Sequence, residues 1–304
     1  MASAAVTSVA VHDEHDVYLA CDTTVYHYDT RNPSGPILRE PKDQLWTAED
    51  EINQLAIHNT NRGNSWILAS ADDAGCLRTS SNTYRIPGDP MVTCLAFRPR
   101  TRKHTEIACG GTDCTVHLWD INKSKAPLAS DTVPTLASGP QVYNPPMVHA
   151  LAWSPSGRFL VGGLGDGSWM VWSAEQRSLV AIARVEDAHS GSLASVLFPG
   201  WRSETENLPM QADDRLLVTT GNDGVIALWD LGVDTVCDDL VRPPGRLWGQ
   251  PEEQQPATPQ TLWAISHGKK PNWMVSSPSN DSLRPNALFV ADTSNDITLY
   301  SLPL

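Results

Sequence analysis

The chain has 304 residues, 40% of them hydrophobic and 19% charged, which is enough apolar material for a sizeable core and argues against global disorder. A net charge of −13 and a pI near 5.0 speak against a nucleic-acid or anionic-membrane surface, because both are met with lysine and arginine. No run of about 18 apolar residues occurs, so no membrane-spanning helix is expected.

Eleven tryptophans against four phenylalanines suggest that a Trp-bearing unit recurs. The first residues, MASAAVTSVAV, lack a cationic start and run straight into HDEHD at 12–16, so no secretory leader is expected. Several of the six cysteines (Cys21, Cys76, Cys94, Cys109, Cys114, Cys237) sit in strand-like runs, where a thiol acts as a small hydrophobe. The expected compartment is therefore reducing, cytoplasmic or nuclear. HDEHD has the residue types of a metal cluster. Its side chains are expected to alternate between the two faces of a hairpin, however, so they should not converge on one ion.

Taken in chain order, six lines share one pattern: ACDTTVYHYD (20–29), SADDAGCLRTSS (70–81), GGTDCTVHLWD (110–120), GLGDGSWMVWS (163–173), GNDGVIALWD (221–230) and ADTSNDITLYS (291–301). Each places an Asp in a turn of small residues before a β-rich strand, and five of the six end in an aromatic and a polar residue. The step is six residues from Asp22 to Tyr28, Asp113 to Trp119, Asp166 to Trp172 and Asp223 to Trp229. A strand, a turn and another strand precede these lines, as in VTSVAVHDEHDVYLAC and VHALAWSPSGRFLVGG. Alternating apolar and polar residues bounded by Gly, Pro, Asn and Asp are hairpin text, and capped helical periods are absent. The prediction is an all-β chain of four-stranded antiparallel units repeated about every 40–50 residues, which is a β-propeller of six recognisable blades filling residues 1–304 as one domain.

With Trp119-Asp120 and Trp229-Asp230 closing two of the lines, the chain resembles the WD-repeat family. The resemblance implies that the turn Asp bonds a loop His, which links through a Ser or Thr to the strand Trp. In the fifth repeat these would be Asp223, His189, Thr219 and Trp229. Because the same Asp recurs in repeats with no shared nucleophile or base, it reads as structural, not catalytic. Trp119, Trp172 and Trp229 are expected at equivalent third-strand positions facing the neighbouring blade. Only five residues precede Val6, and the last repeat shows three evident strands. Closer resemblance within the family implies one further repeat ahead of Val6, so the chain either closes as six blades or lacks the N-terminal blade of a seven-bladed ring.

Three stretches fall outside the repeats. Residues 131–147 and 201–214 read as long loops, and 242–260, rich in Pro, Glu and Gln, is expected to be disordered, with Trp248 as an isolated aromatic that could anchor a partner. Within YNPPMVH, two prolines stiffen an aromatic-bearing loop, making Tyr143, Pro145 and Pro146 a candidate peptide-binding rim. The basic run RPRTRK at 98–103 reads as a solvated turn, with a localisation signal as the alternative. GGLGDGS at 162–168 has the glycines of a phosphate loop, but strand-like WMVW follows where a helix N-terminus is needed. Cys109, Cys114 and His117 lack a second ligand pair. Neither a cofactor nor a metal is expected, and no acid–base constellation marks an enzyme.

The resemblance implies a non-catalytic protein–protein interaction module, concretely a substrate receptor of a cullin-4 RING ubiquitin ligase. It would be monomeric within a larger complex and would contact the ligase adaptor and a client protein, with no nucleic acid or membrane partner. The alternative is a general scaffold in a chromatin or RNA–protein assembly. Ligase receptors of this family carry an aromatic-acid-x-Arg ending, and Tyr28-Asp29-Thr30-Arg31 fits it. Here Arg31 would be free to pair with an adaptor carboxylate, and Asp29 would hold the turn.

Overall fold

A computed structural model describes residues 5–31, 40–59, 66–99, 105–123, 126–135, 144–175, 177–199, 214–232, 259–277, 286–294 and 296–301. Blade 1 is β1 (Val6–Val11), β2 (Asp16–Cys21), β3 (Thr24–Asp29) and β4 (Asp43–Thr47). Blade 2 is β5 (Ile52–Asn59), β6 (Trp66–Asp72), β7 (Cys76–Thr79) and β8 (Thr83–Arg85). Blade 3 is β9 (Val92–Phe97), β10 (Glu106–Gly111), β11 (Thr115–Asp120) and β12 (Ala129–Thr132). Blade 4 is β13 (Val148–Trp153), β14 (Phe159–Leu164), β15 (Trp169–Ser173) and β16 (Val180–Val185). Blade 5 is β17 (Leu193–Leu197), β18 (Leu216–Gly221), β19 (Val225–Asp230) and β20 (Gln260–Ser266). Blade 6 is β21 (Pro271–Ser276), β22 (Ala287–Asp292) and β23 (Ile297–Ser301).

Every pairing is antiparallel between strands adjacent in sequence, as short turns dictate. Among the described residues there is no α-helix. The six first strands surround a central cavity of about 430 Å³, to which they contribute Thr7, Asn53, Thr93, His149, Ala194 and Asn272 in turn. Blades meet face to face through apolar layers. Trp119 packs between blades 2 and 3, Trp172 between blades 3 and 4, and Trp229 between blades 4 and 5. These three residues stand on β11, β15 and β19, the third strand of their blades.

Some expectations change. Among the described residues the sixth sheet has three strands, so the four-stranded unit is seen in five of the six sheets. The stretch expected as a loop from 131 begins inside β12, because Asp131 and Thr132 pair with Val116 and Thr115. Gln260, placed at the end of the expected disordered segment, opens β20 by pairing with Asp230. Residues 242–258, including Trp248, lie outside the described residues, as do 201–213, Tyr143 and Cys237.

Candidate functional site

The turn carboxylates are committed to the fold, and blade 5 shows how. Trp229 Nε1 donates to Thr219 Oγ1 at 2.8 Å, and Thr219 Oγ1 lies 2.8 Å from His189 Nε2. His189 Nδ1 lies 3.2 Å from Asp223 Oδ1. An ionised Asp223 can only accept, so the His189 proton sits on Nδ1, facing it; Nε2 of the neutral ring then accepts from the Thr219 hydroxyl, which in turn accepts from the indole. Asp223 also accepts the backbone N–H groups of Val225 and Ser190 at 3.0 and 2.9 Å. Burial alone would raise the Asp223 pKa, but those amides and the His189 ring outweigh it and hold it below the usual value. Burial pushes the His189 pKa down, and Asp223 offsets only part of that. The ring is therefore neutral and serves as a cross-brace between loop and strand.

Other blades solve the same turn with different partners. In blade 6, His267 Nδ1 meets the Tyr300 hydroxyl at 2.6 Å and Nε2 meets Asp292 Oδ2 at 2.8 Å. Asp292 is held down to about 2 by the side chain and amide of Ser294. Sequence reading missed this network because the six-residue step back from Tyr300 lands on Ser294, two residues beyond the carboxylate used. The available signal was Tyr300 standing where other repeats carry Trp. In blade 4 the turn Asp166 pairs with Arg184, a partner with no fixed spacing. In blade 3, His117 comes from the strand itself and bridges Asp113 at 3.2 Å and Ser130 at 2.8 Å.

Arg31 lies in the turn after β3, and its side chain is 54% exposed. It is not free. Its Nε and Nη2 donate to the two oxygens of Asp29 at 2.8 and 2.7 Å, and the same carboxylate accepts the Arg31 backbone N–H at 3.0 Å. Hydrogen bonding from that guanidinium holds the Asp29 carboxyl well below the usual range. A carboxylate on another protein would compete with Asp29 for the same fork. Tyr28 stands on β3, half-buried, on the face away from blade 2.

At the proposed rim, Pro145 is exposed and Pro146 is buried, and Met147 N–H bonds back to the Pro145 carbonyl at 2.8 Å. The loop prolines therefore divide between surface and packing. The HDEHD turn departs from expectation: ligand atoms of His12, Asp13 and Asp16 lie within 4.8 Å of one another. They converge because Asp13 folds back to cap the N–H groups of His15 and Asp16, a turn the alternation argument did not include. Asp16 is meanwhile engaged by His27 Nε2 at 2.7 Å. Arg98, opening the basic run, bonds Glu106 at 2.7 Å and the Gly157 carbonyl at 2.6 Å and stacks over Trp153, so it is not a solvated charge. Lys103 and its neighbours lie outside the described residues. Gly167, with φ +85°, sits so close to the His189 carbonyl that a Cβ would clash, and the strand β15 follows directly. Cys109 is fully buried and its pKa is driven far up, while Cys114 is half-buried.

This geometry, blades braced by turn carboxylates around a central cavity, is that of a β-propeller, and WD repeats are found in it: the WD domain, G-beta repeat, family matches residues 75–120 and 141–173. Over 98% of its length the chain is similar to WD repeat-containing protein 53 homolog of Dictyostelium discoideum, with 25% identity and 79% of that protein covered. It is also similar over 51% of its length to transcription initiation factor TFIID subunit 5 of Caenorhabditis elegans, at 28% identity. That match covers only 24% of the relative. Among solved structures, a chain of a crystal structure of the mitotic checkpoint complex superposes with a TM-score of 0.65, covering 98% of this chain and 76% of that one at 15% identity, and so shares the fold.

Proposed function

We propose that this WD-repeat protein is a non-catalytic protein-interaction module that serves as a substrate receptor of a cullin-4 RING ubiquitin ligase, in the cytoplasm or nucleus. The interaction half rests on the family, whose propellers act as protein-interaction scaffolds. The ligase half rests on one observation: Tyr28, Asp29 and Arg31 close the third strand of blade 1 with the guanidinium half in solvent. A half-exposed arginine already oriented by a neighbouring carboxylate needs little further ordering to meet a partner. Replacing Arg31 by Ala is expected to weaken co-purification of the ligase adaptor about tenfold, roughly 1.4 kcal/mol, with the fold intact. Equal capture by mutant and wild type, or no capture by wild type, transfers the assignment to a general scaffold outside any ligase.

A further inference from the structure

The HDEHD turn joins β1 to β2 and gathers three ligand-bearing side chains at one end of blade 1. One ligand atom each from His12, Asp13 and Asp16 lies within 4.8 Å of the others. All three side chains are already oriented. Asp13 commits Oδ1 to the backbone N–H groups of His15 and Asp16, at 2.7 and 2.9 Å, and its Oδ2 is the oxygen nearest His12 Nδ1. Asp16 is held by His27 Nε2 at 2.7 Å, the kind of outer brace that metal-binding side chains commonly have. The His12 ring packs on Trp66 of blade 2, with ring centroids 5.3 Å apart.

A second observation is independent of that turn. His12 Nδ1 is buried and has no hydrogen-bond partner among the described residues. Native proteins rarely leave a buried nitrogen in that condition. Asp13 Oδ2 stands 3.6 Å from it, too far for a hydrogen bond in either tautomer. That span fits two donors on one ion. Ligand atoms about 2.0–2.2 Å from a tetrahedral zinc lie about 3.3–3.6 Å from each other. From the separation in this structure, Asp16 reaches the same spacing with about 1 Å of movement.

We propose that His12 Nδ1, Asp13 Oδ2 and the Asp16 carboxylate form a binding site for a divalent transition-metal cation, with zinc as the fitting ion. One imidazole with two carboxylates is a nitrogen–oxygen donor set, which first-row ions such as zinc bind in preference to magnesium or calcium. Asp13 is half exposed while His12 and Asp16 are largely covered, so a fourth position opens to water on the Asp13 side. Arg31 Nη2, 4.0 Å from Asp16 Oδ1, disfavours a cation there. Its charge is already balanced by Asp29, whose oxygens accept from Nε and Nη2 at 2.8 and 2.7 Å. The role of the ion is structural. It ties the β1–β2 turn to the first residue of β2, beside the turn that carries Arg31.

The test is thermal melting of the metal-stripped full chain with added zinc or magnesium, each variant being compared with its own metal-free melt. Zinc is expected to raise the wild-type melting temperature as the site fills, and magnesium at the same concentration to leave it unchanged. Titration calorimetry should show a single zinc per chain, with affinity weakened at least about tenfold by His12→Ala and by Asp16→Asn. Asp13→Asn supplies a variant that keeps the turn, because its amide oxygen still accepts the two N–H groups while the carboxylate is gone. It too should lose at least about tenfold in affinity. No zinc-dependent rise in the wild type overturns the proposal and leaves His12 as a ring that only packs on Trp66. A rise that persists in His12→Ala or Asp13→Asn also overturns it, since zinc would then be held by other side chains. So does an equal rise with magnesium.

Discussion

Blades 3 and 4 in the middle of the ring differ from blades 1 and 6 at its ends, although their sequences are built alike. Trp172 in blade 4 is fully buried and donates its indole N–H to Asp131 of blade 3 at 2.7 Å, whereas Trp273 in blade 6 is 51% exposed. Burial in a propeller is thus a property of the junction between two sheets. An apolar strand gains its second covered face only when the next blade supplies it.

The largest expected effect is at the middle junction. Trp172→Ala should lower unfolding free energy by about 3–5 kcal/mol, through lost burial, a cavity and an unpaired Asp131. Urea denaturation measures it. A loss under about 1 kcal/mol would erase the distinction between middle and end.

Within the turn network of blade 5, Thr219→Val keeps the shape but strands the Trp229 indole and the His189 ring at once. A loss of about 1–3 kcal/mol is expected in the same assay. A near-neutral change would show that the bracing is incidental to that turn.

pH distinguishes the regions differently. Burial lowers the pKa of His58, His149 and His189, on blades 2, 4 and the approach to blade 5. Below the unfolded value of about 6.5, the unfolded chain binds protons that the folded chain refuses. Stability from these rings is therefore complete above that pH and lost as pH falls from it through their lowered folded values. Asp113, Asp223 and Asp230 have lowered pKa values as well, so their contribution persists to more acidic pH and is lost below the usual carboxylate range. Thermal melts at stepped pH should show stability declining from about 6.5 downward. A flat profile to pH 5 would contradict neutral burial of the three rings.

The smallest effect is at the end blade. Trp273→Ala should cost under about 1 kcal/mol, since half its surface is already in water. A cost approaching that of Trp172→Ala would mean its face is covered in solution.

Much of the turn chemistry was legible because it is local. An Asp two residues before a strand caps an amide whatever the distant fold does, as Asp113 does for Thr115 and Asp223 for Val225. The recurring six-residue step made Asp223 and Trp229 nameable in advance, and the resemblance to the WD-repeat family supplied His189 and Thr219. Where the spacing slipped, at Asp292, the partner was invisible, and Arg184 on Asp166 had no periodic signal.

The sequence by itself determined the strands, their antiparallel order and the repeating unit, because alternation, β-branching and turn residues act within a few positions of one another. Only the tertiary structure decided which partners the charges took and which apolar faces were covered. The Arg31 guanidinium turned back onto Asp29, and His12, Asp13 and Asp16 drew together through a capped turn. Among the described residues, no apolar layer covers the outer faces of blades 1 and 6. Those outcomes depend on what stands opposite a side chain across a junction, and a hydrophobic pattern fixes which face wants cover without fixing what will supply it.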